Sequence, residues 1–419
     1  MTTPVGLLDV LFQFAFYYPI TMSFLWMIGG LYYFFRRERG TPLRDDPPRM
    51  KAYPMASLLV PCHNEEDNVA ETIAALDAQA YPDFEIIAIN DGSSDGTGAA
   101  LDALARQYPR LRVVHLASNQ GKANALRMGT LAARSEYLVC VDGDALLDEY
   151  ATHWMMWHLT SGPRVGAVTG NPRVRNRSTL LGRLQVGEFS NLVGLIKRAQ
   201  NIYGTLFTVS GAVCAFRKRA LHDAGWWNPN AITDDVDVSW RVQLAGWHIG
   251  FEPKAMGWIL TPETLRGLYR QRLRWSEGGT SVVLRATPHL FQRHTLRLWP
   301  TWLNFIAALA WAYAMLAMSA LWILRLLGLV PESGLDGISV LPGHWGLALA
   351  LTYLLQAVVS ERLDRRLEPG YTRTMFWVVW YPFAFWIMQA SAAVVGLPKA
   401  LLRRRDAAGT WVSPDRGFR

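Results

Sequence analysis

Cysteine is scarce in this chain of 419 residues: three, Cys62, Cys140 and Cys214, cannot staple a fold of that length, which excludes a disulfide scaffold. Two of them sit in or beside apolar strand-like segments, so they read as reduced core thiols. No Gly-x-x-x-x-Gly-Lys-Ser/Thr loop is present, which leaves ATP-driven export without support. The nine histidines form no metal-ligand spacing with the cysteines, which argues against a structural zinc site. Internal repeats and low-complexity tracts are also missing. Charge is scarce too. Asp, Glu, Lys and Arg make up 18% of the chain against 51% hydrophobic residues, ample apolar surface to offset the entropy of ordering, so disorder is excluded.

Charge vanishes altogether from four stretches: residues 10–35, 298–324, 337–360 and 374–398. A hydrocarbon core about 30 Å thick needs roughly 20 helical residues, so each is long enough to cross and a wholly soluble chain is excluded. The third is the weakest, because Pro342, Gly343 and His344 shorten its useful part. The first lacks a basic leader and is followed by Arg36, Arg37 and Arg39, so it reads as an uncleaved anchor with residue 36 onward in the cytoplasm. Three further spans would bring the basic tail, residues 399–419 with Lys399, Arg403, Arg404 and Arg405, to the outside, against the same rule. Either one segment does not cross, or a partner supplies the constraint, or the tail is external. Of the 18 tryptophans many sit in or beside these blocks, as interface anchoring requires. The net charge of +8 suits anionic lipid or a phosphorylated substrate. Because that charge lies at membrane edges and interfacial helices, a nucleic-acid partner is disfavoured.

Residues 36–297 suffice for one large globular domain, with a sheet-bearing part at 50–260 and interfacial helices at 261–297. Apolar runs at 57–60, 85–89, 111–116 and 137–141 read as strands. Helical periodicity near 97–107 and 121–133, and after an N-cap at Asn64, reads as connecting helices. Apolar strands linked by helices argue for a parallel sheet covered on both faces, whose ligands bind beyond the carboxyl ends of the strands.

Acidic clusters fall at those ends: Asn90-Asp91-Gly92-Ser93 and Asp142-Gly143-Asp144. Each alone is as well explained by a polar turn. Together they offer hard oxygen ligands, and Mg²⁺ takes only one or two protein carboxylates beside water and phosphate. Thr233-Asp234-Asp235-Val236-Asp237 opens an amphipathic helix; capping and the helix dipole account for one or two of its acids and less well for three. Gln271-Arg272-Leu273-Arg274-Trp275 lies on a basic helix that starts near Pro262 and is expected to stop at Gly278-Gly279. Such a helix can simply lie on the membrane, or Arg274 can grip a diphosphate while Trp275 packs against a sugar or base.

In this order and ahead of membrane helices, Asp91, Asp142-Gly143-Asp144, Thr233-Asp234-Asp235 and Gln271-Arg272-Leu273-Arg274-Trp275 resemble the processive family 2 glycosyltransferases, which include cellulose, chitin and hyaluronan synthases. A finer likeness, to bacterial synthases of poly-β-1,6-N-acetylglucosamine, rests on Pro61-Cys62-His63-Asn64-Glu65, Asn119-Gln120-Gly121-Lys122-Ala123, Val168-Thr169-Gly170-Asn171-Pro172-Arg173, Val209-Ser210-Gly211 and Trp411-Val412-Ser413-Pro414-Asp415-Arg416-Gly417. Each motif is weak alone; the ordered set is strong and covers nearly the whole chain. Some relatives carry an extra N-terminal hydrophobic segment where this chain has one, which bears on the span count.

The resemblance implies an α/β fold: a nucleotide-sugar-binding, GT-A type mixed-sheet domain with interfacial helices and about four transmembrane helices. It places the chain in a bacterial inner (plasma) membrane with the catalytic domain cytoplasmic. Carried over by residue, Asp91 would contact uridine, Asp142 the nucleotide, and Asp144 a Mg²⁺ or Mn²⁺ ion on the diphosphate. Lys122 would add a phosphate or ribose contact, with a solvated surface lysine as the alternative. Asp235 would be the general base and Asp234 a supporting carboxylate, although a helix N-terminus weakens a carboxylate base. Arg274 would stabilise the departing diphosphate, with Gln271 and Trp275 beside the substrate, while Ser210 and Gly211 would shape the acceptor site. The implied reaction moves N-acetylglucosamine from UDP-N-acetylglucosamine onto a growing β-1,6-linked exopolysaccharide of the biofilm matrix, which the membrane helices help export. The alternatives are a hyaluronan- or chitin-type synthase, a non-processive lipid-phosphate glycosyltransferase, which the 271–275 motif disfavours, and a receptor or scaffold without catalysis. Gram-negative relatives work with a small membrane subunit and respond to cyclic di-GMP; a partner-free Gram-positive type is the other option.

Overall fold

A computed structural model describes residues 6–329, 344–370, 375–378 and 381–403. The tail from residue 404, with the 411–417 motif, lies outside the described residues, as do Pro342 and Gly343 of the third apolar block.

The chain begins with α1 (Leu7–Tyr33), continued by a π-helical turn to Glu38, and then enters the sheet. Strands β1 (Ala56–Cys62) and β2 (Phe84–Asp91) are buried along their whole length. Alternate side chains face opposite layers, Leu58 and Val60 on one side and Leu59 on the other, so helices must cover both faces. They do: α2 (Val69–Asp77) and α3 (Thr97–Gln107) cover the first face and α4 (Lys122–Ala132) the second. With β3 (Leu111–Leu116) and β4 (Tyr137–Val141), these strands form the expected parallel half. Next come β5 (Leu146–Leu147), α5 (Ala151–Leu159), β6 (Val165–Val174), α6 (Leu180–Phe189) and, after a second π-helical turn, α7 (Ile196–Tyr203). Then follow β7 (Val213–Arg217), α8 (Lys218–Asp223), α9 (Asp234–Leu244) and β8 (His248–Ile259). The sheet order is β3-β2-β1-β4-β7-β6-β8-β5, with β7 antiparallel to both neighbours, so the sheet is mixed. Cys62, Cys140 and Cys214 are buried and form no disulfide.

Two helix boundaries differ from expectation. Asn64 does not cap α2, which starts at Val69; it adopts φ 55° and its Oδ1 accepts the Ser94 N–H at 2.9 Å, bridging two loops. The basic helix α10 (Leu265–Ala286) runs straight through Gly278 and Gly279. The point where a Cβ would stand on Gly278 lies 2.4 Å from Thr233 Oγ1, so the glycine serves close packing of α10 on the start of α9 rather than termination.

Beyond α10 lie α11 (Trp299–Leu326), α12 (His344–Asp364), α13 (Met375–Val378) and α14 (Tyr381–Leu402). Four helical stretches, Leu8–Glu38, Arg293–Leu326, Gly346–Asp364 and Phe385–Leu402, are long and apolar enough to cross a membrane. The third extends past Ser360 and the fourth past Pro398, the last residues of their charge-free stretches. The third can take in an acid because that acid is neutralised. Asp364 Oδ1 accepts Arg198 Nη1 at 2.9 Å and its Oδ2 pairs with Arg173 Nη1 at 2.8 Å. Arg198 also grips Glu38 through Nε at 2.8 Å and Nη2 at 3.0 Å, and Ser190 donates to Asp364. None of these four charged side chains is more than 4% exposed. Two cations and two anions thus tie α1, α7, β6 and α12 into one unit.

Candidate active site

The sheet order reverses between β1 and β4, and the crevice beyond their carboxyl ends is where an open α/β sheet receives ligands. β4 runs out into Asp142-Gly143-Asp144. The turn is pinned by the Ala145 N–H on the Asp142 carbonyl at 3.0 Å and by the Thr72 hydroxyl on the Gly143 carbonyl at 2.9 Å. Asp142 and Asp144 face a cavity of about 850 Å³ that Lys122, Ser210, Asp234, Asp235, Gln271, Arg274 and Trp275 also line. Residues separated by more than a hundred positions therefore converge as the motif order implied.

Lys122, at the start of α4, is not a solvated surface lysine. Its Nζ stands 2.5 Å from Asp142 Oδ1 and 3.4 Å from the Gly211 carbonyl. Burial works against its charge, but Asp142, Asp234 and Asp235 outweigh burial and hold it protonated. A Cβ placed on Gly211 would lie 3.2 Å from Lys122 Nζ and 3.6 Å from Asp235 Oδ2, so this turn brings the cation and that carboxylate together. The tension over Asp235 is resolved by its surroundings. Burial and the Asp234 carboxylate push its pKa above the usual 3.8, against the opposing pull of Lys122, Arg274 and the Val236 N–H that it accepts at 2.9 Å. The helix N-terminus does not win, and Asp235 is a stronger base than an exposed aspartate. Thr233 is not a side-chain cap: its hydroxyl makes no such bond and packs against Gly278.

On α10, Gln271, Arg274 and Trp275 are spaced i, i+3, i+4 and share the cavity face, while Arg272 points inward. Arg272 pairs with buried Glu188 at 2.6 Å, and its guanidinium lies 4.3 Å from the centre of the Trp275 ring, which fixes the indole from behind. Gln389 of α14 also donates to Glu188 at 3.4 Å, tying the motif to a membrane helix. Gly278→Ala is expected to displace Thr233 and with it the carboxylates of α9, lowering turnover by about tenfold to a hundredfold. Wild-type turnover in that variant would show that α9 does not depend on the contact.

Asp91 stands apart from the other expected site residues. It does not line the cavity: it is fully buried, and its two carboxylate oxygens accept the N–H groups of Gln120 at 2.9 Å and Gly121 at 2.8 Å. It positions the loop that leads into Lys122. Residue-level reading missed Lys197, a buried cavity-lining lysine, and Thr169, whose Oγ1 holds the Ser210 N–H at 2.8 Å. The signal was the Lys197-Arg198 pair interrupting an apolar helix.

Asp142 and Asp144 present hard oxygen donors. Among the described residues no group of three or more His, Cys, Asp or Glu converges as a metal site. Two carboxylates are the number a hard divalent ion takes from protein when phosphate and water complete its shell.

This architecture, a mixed α/β sheet with a carboxylate-lined crevice beside membrane-spanning helices, is that of a GT-A-like glycosyltransferase. Residues 54–278 match the family described as glycosyltransferase like family 2, and the chain belongs to that family. Along its length it is similar to the poly-β-1,6-N-acetyl-D-glucosamine synthase of Staphylococcus epidermidis, at 35% identity over 97% of this chain and 98% of the relative. The enzyme of the same name from Staphylococcus aureus is 37% identical, with the same coverage of both chains. Among solved structures, a mannosyltransferase from Pyrobaculum calidifontis in complex with GDP-Man and Mn²⁺ shares the fold, with a TM-score of 0.60, 20% identity, and coverage of 94% of this chain and 99% of that one.

Proposed function

We propose that the chain is a processive, inverting N-acetylglucosaminyltransferase that builds β-1,6-linked polymer from UDP-N-acetylglucosamine. The reading is carried by the convergence of Asp142, Asp144, Asp235, Arg274 and Trp275 on one cavity, in a chain similar along 97% of its length to proteins bearing the synthase name. The 6-hydroxyl of the terminal sugar attacks the anomeric carbon from the face opposite UDP. The new C–O bond forms as the bond to UDP breaks, Asp235 takes the hydroxyl proton, and the α linkage of the donor becomes β. UDP departs as an anion toward Arg274 and Lys122, which hold its charge. Asp144 would hold Mg²⁺ or Mn²⁺, whose chemistry is charge neutralisation of the diphosphate. Trp275 offers its face to a sugar ring.

Arg36, Arg37 and Arg39 favour a cytoplasmic catalytic domain in a bacterial inner membrane. The cavity wall includes Tyr18 of α1 and Asn304 and Phe305 of α11, so the growing chain would pass from the carboxylates toward the membrane helices and outward.

Protein reconstituted in vesicles with UDP-N-acetylglucosamine and Mg²⁺ or Mn²⁺ is expected to release UDP and yield a 1,6-linked product, both abolished by EDTA. A 1,4-linked or alternating product would refute the linkage, absence of UDP release would refute the enzyme, and polymer confined to the donor side would refute export. Adding cyclic di-GMP, or co-expressing a small membrane subunit, tests the two partners that the family resemblance brings with it.

A further inference from the structure

Four cationic side chains among the described residues line the cavity: Lys122, Lys197, Arg274 and Arg403. Lys122 is paired with Asp142, Arg403 stands 3.6 Å from Glu277, and Arg274 is solvent-exposed. Lys197 differs: it is buried, and no carboxylate pairs with it among the described residues. Its Nζ donates to Thr169 Oγ1 at 3.0 Å, the same oxygen that accepts the Ser210 N–H. An ammonium carries three N–H donors, so two remain for whatever enters the cavity. A buried ion with so few partners is costly unless a ligand completes its bonding. Burial pulls its pKa down to about 8, with Asp235 opposing, so the side chain is still mainly cationic at neutral pH.

Its place assigns the ligand. Lys197 stands on the wall formed by Phe189, Val193 and Ile196, and Thr169 joins it by hydrogen bonds to Ser210, the residue that the family resemblance puts at the acceptor site. Asp235, whose charge reaches it, is the base that must touch the acceptor hydroxyl. We propose that Lys197 is a specificity-determining residue of the acceptor subsite: its ammonium donates to the hydroxyl and amide oxygens of an N-acetylated terminal sugar and repels one whose amino group is free and protonated. The inference rests on the synthase reading above. It makes the deacetylated chain end a poor acceptor.

The test uses full-length protein in nanodiscs with UDP-N-acetylglucosamine, Mg²⁺ and short β-1,6 oligosaccharides ending in either N-acetylglucosamine or glucosamine. Wild type is expected to extend the acetylated end at least about tenfold more efficiently. Lys197→Met should raise KM for the acetylated acceptor by about tenfold and bring the two acceptors to within about threefold of each other, with UDP still bound. Lys197→Arg, which keeps the charge, should keep the preference. Wild-type acceptor KM and preference in Lys197→Met would overturn the inference and leave the synthase reading standing. So would loss of UDP binding in both variants, which would make the residue structural or a donor contact. A wild-type protein that uses no UDP-N-acetylglucosamine would overturn both readings.

Discussion

Asp235→Asn is expected to lower polymer synthesis by about 10²–10⁴-fold while leaving UDP affinity within about twofold. Asparagine keeps the shape and can still accept the Val236 N–H, but it has no basic oxygen to take the proton of the attacking hydroxyl. The loss should fall on kcat, since the proposal gives the donor contacts to Asp142, Asp144, Lys122 and Arg274. The pH dependence carries the same information. Asp235 must be ionised to act, and its pKa is raised by burial and by Asp234, so activity falls as pH drops through a value above 3.8. The acid limb of kcat should therefore lie above the ordinary aspartate range and be missing from the residual activity of the variant. Full activity in Asp235→Asn would assign the proton to another group.

The second large effect is on folding. Asp364→Ala removes the carboxylate that pairs with both Arg198 and Arg173, leaving buried guanidinium charge without its partner. Breaking one side of a buried ion pair costs about 3–5 kcal/mol, enough to unseat α12 from the catalytic domain. Thermal unfolding in detergent should show a marked drop, with loss of monodisperse protein. Asp45→Ala, whose side chain is 69% exposed beside Arg44, should change stability by less than about 1 kcal/mol. Equal behaviour of the two variants would mean that the cluster does not hold the helices.

Legibility followed the range of the interactions. The strands at 111–116 and 137–141 and the helix at 97–107 were readable to the residue, because apolar period and turn residues act within a few positions. Asn64 carries every local mark of an N-cap, yet its side chain is captured by Ser94, thirty residues away in sequence. Gly278 reads as a stop signal until Thr233 is seen against it. Glu38, Arg173, Arg198 and Asp364 could not be grouped at all, since no periodicity links residues so far apart, and the end of the third span depends on them. The site was legible as an ordered set of acids, but roles within it were not: Asp91 and Asp142 look alike in sequence, and only packing turns one inward onto backbone amides and the other toward the cavity.

A structure of the protein with intact UDP-N-acetylglucosamine and Mn²⁺ in the Asp235→Asn background tests the central claim most directly. The account predicts anomalous density for one ion within about 2.5 Å of Asp144 and of a diphosphate oxygen, Arg274 against the diphosphate, and the anomeric carbon facing residue 235. An ion bound away from Asp144, or a nucleotide seated outside the crevice between β1 and β4, would contradict it.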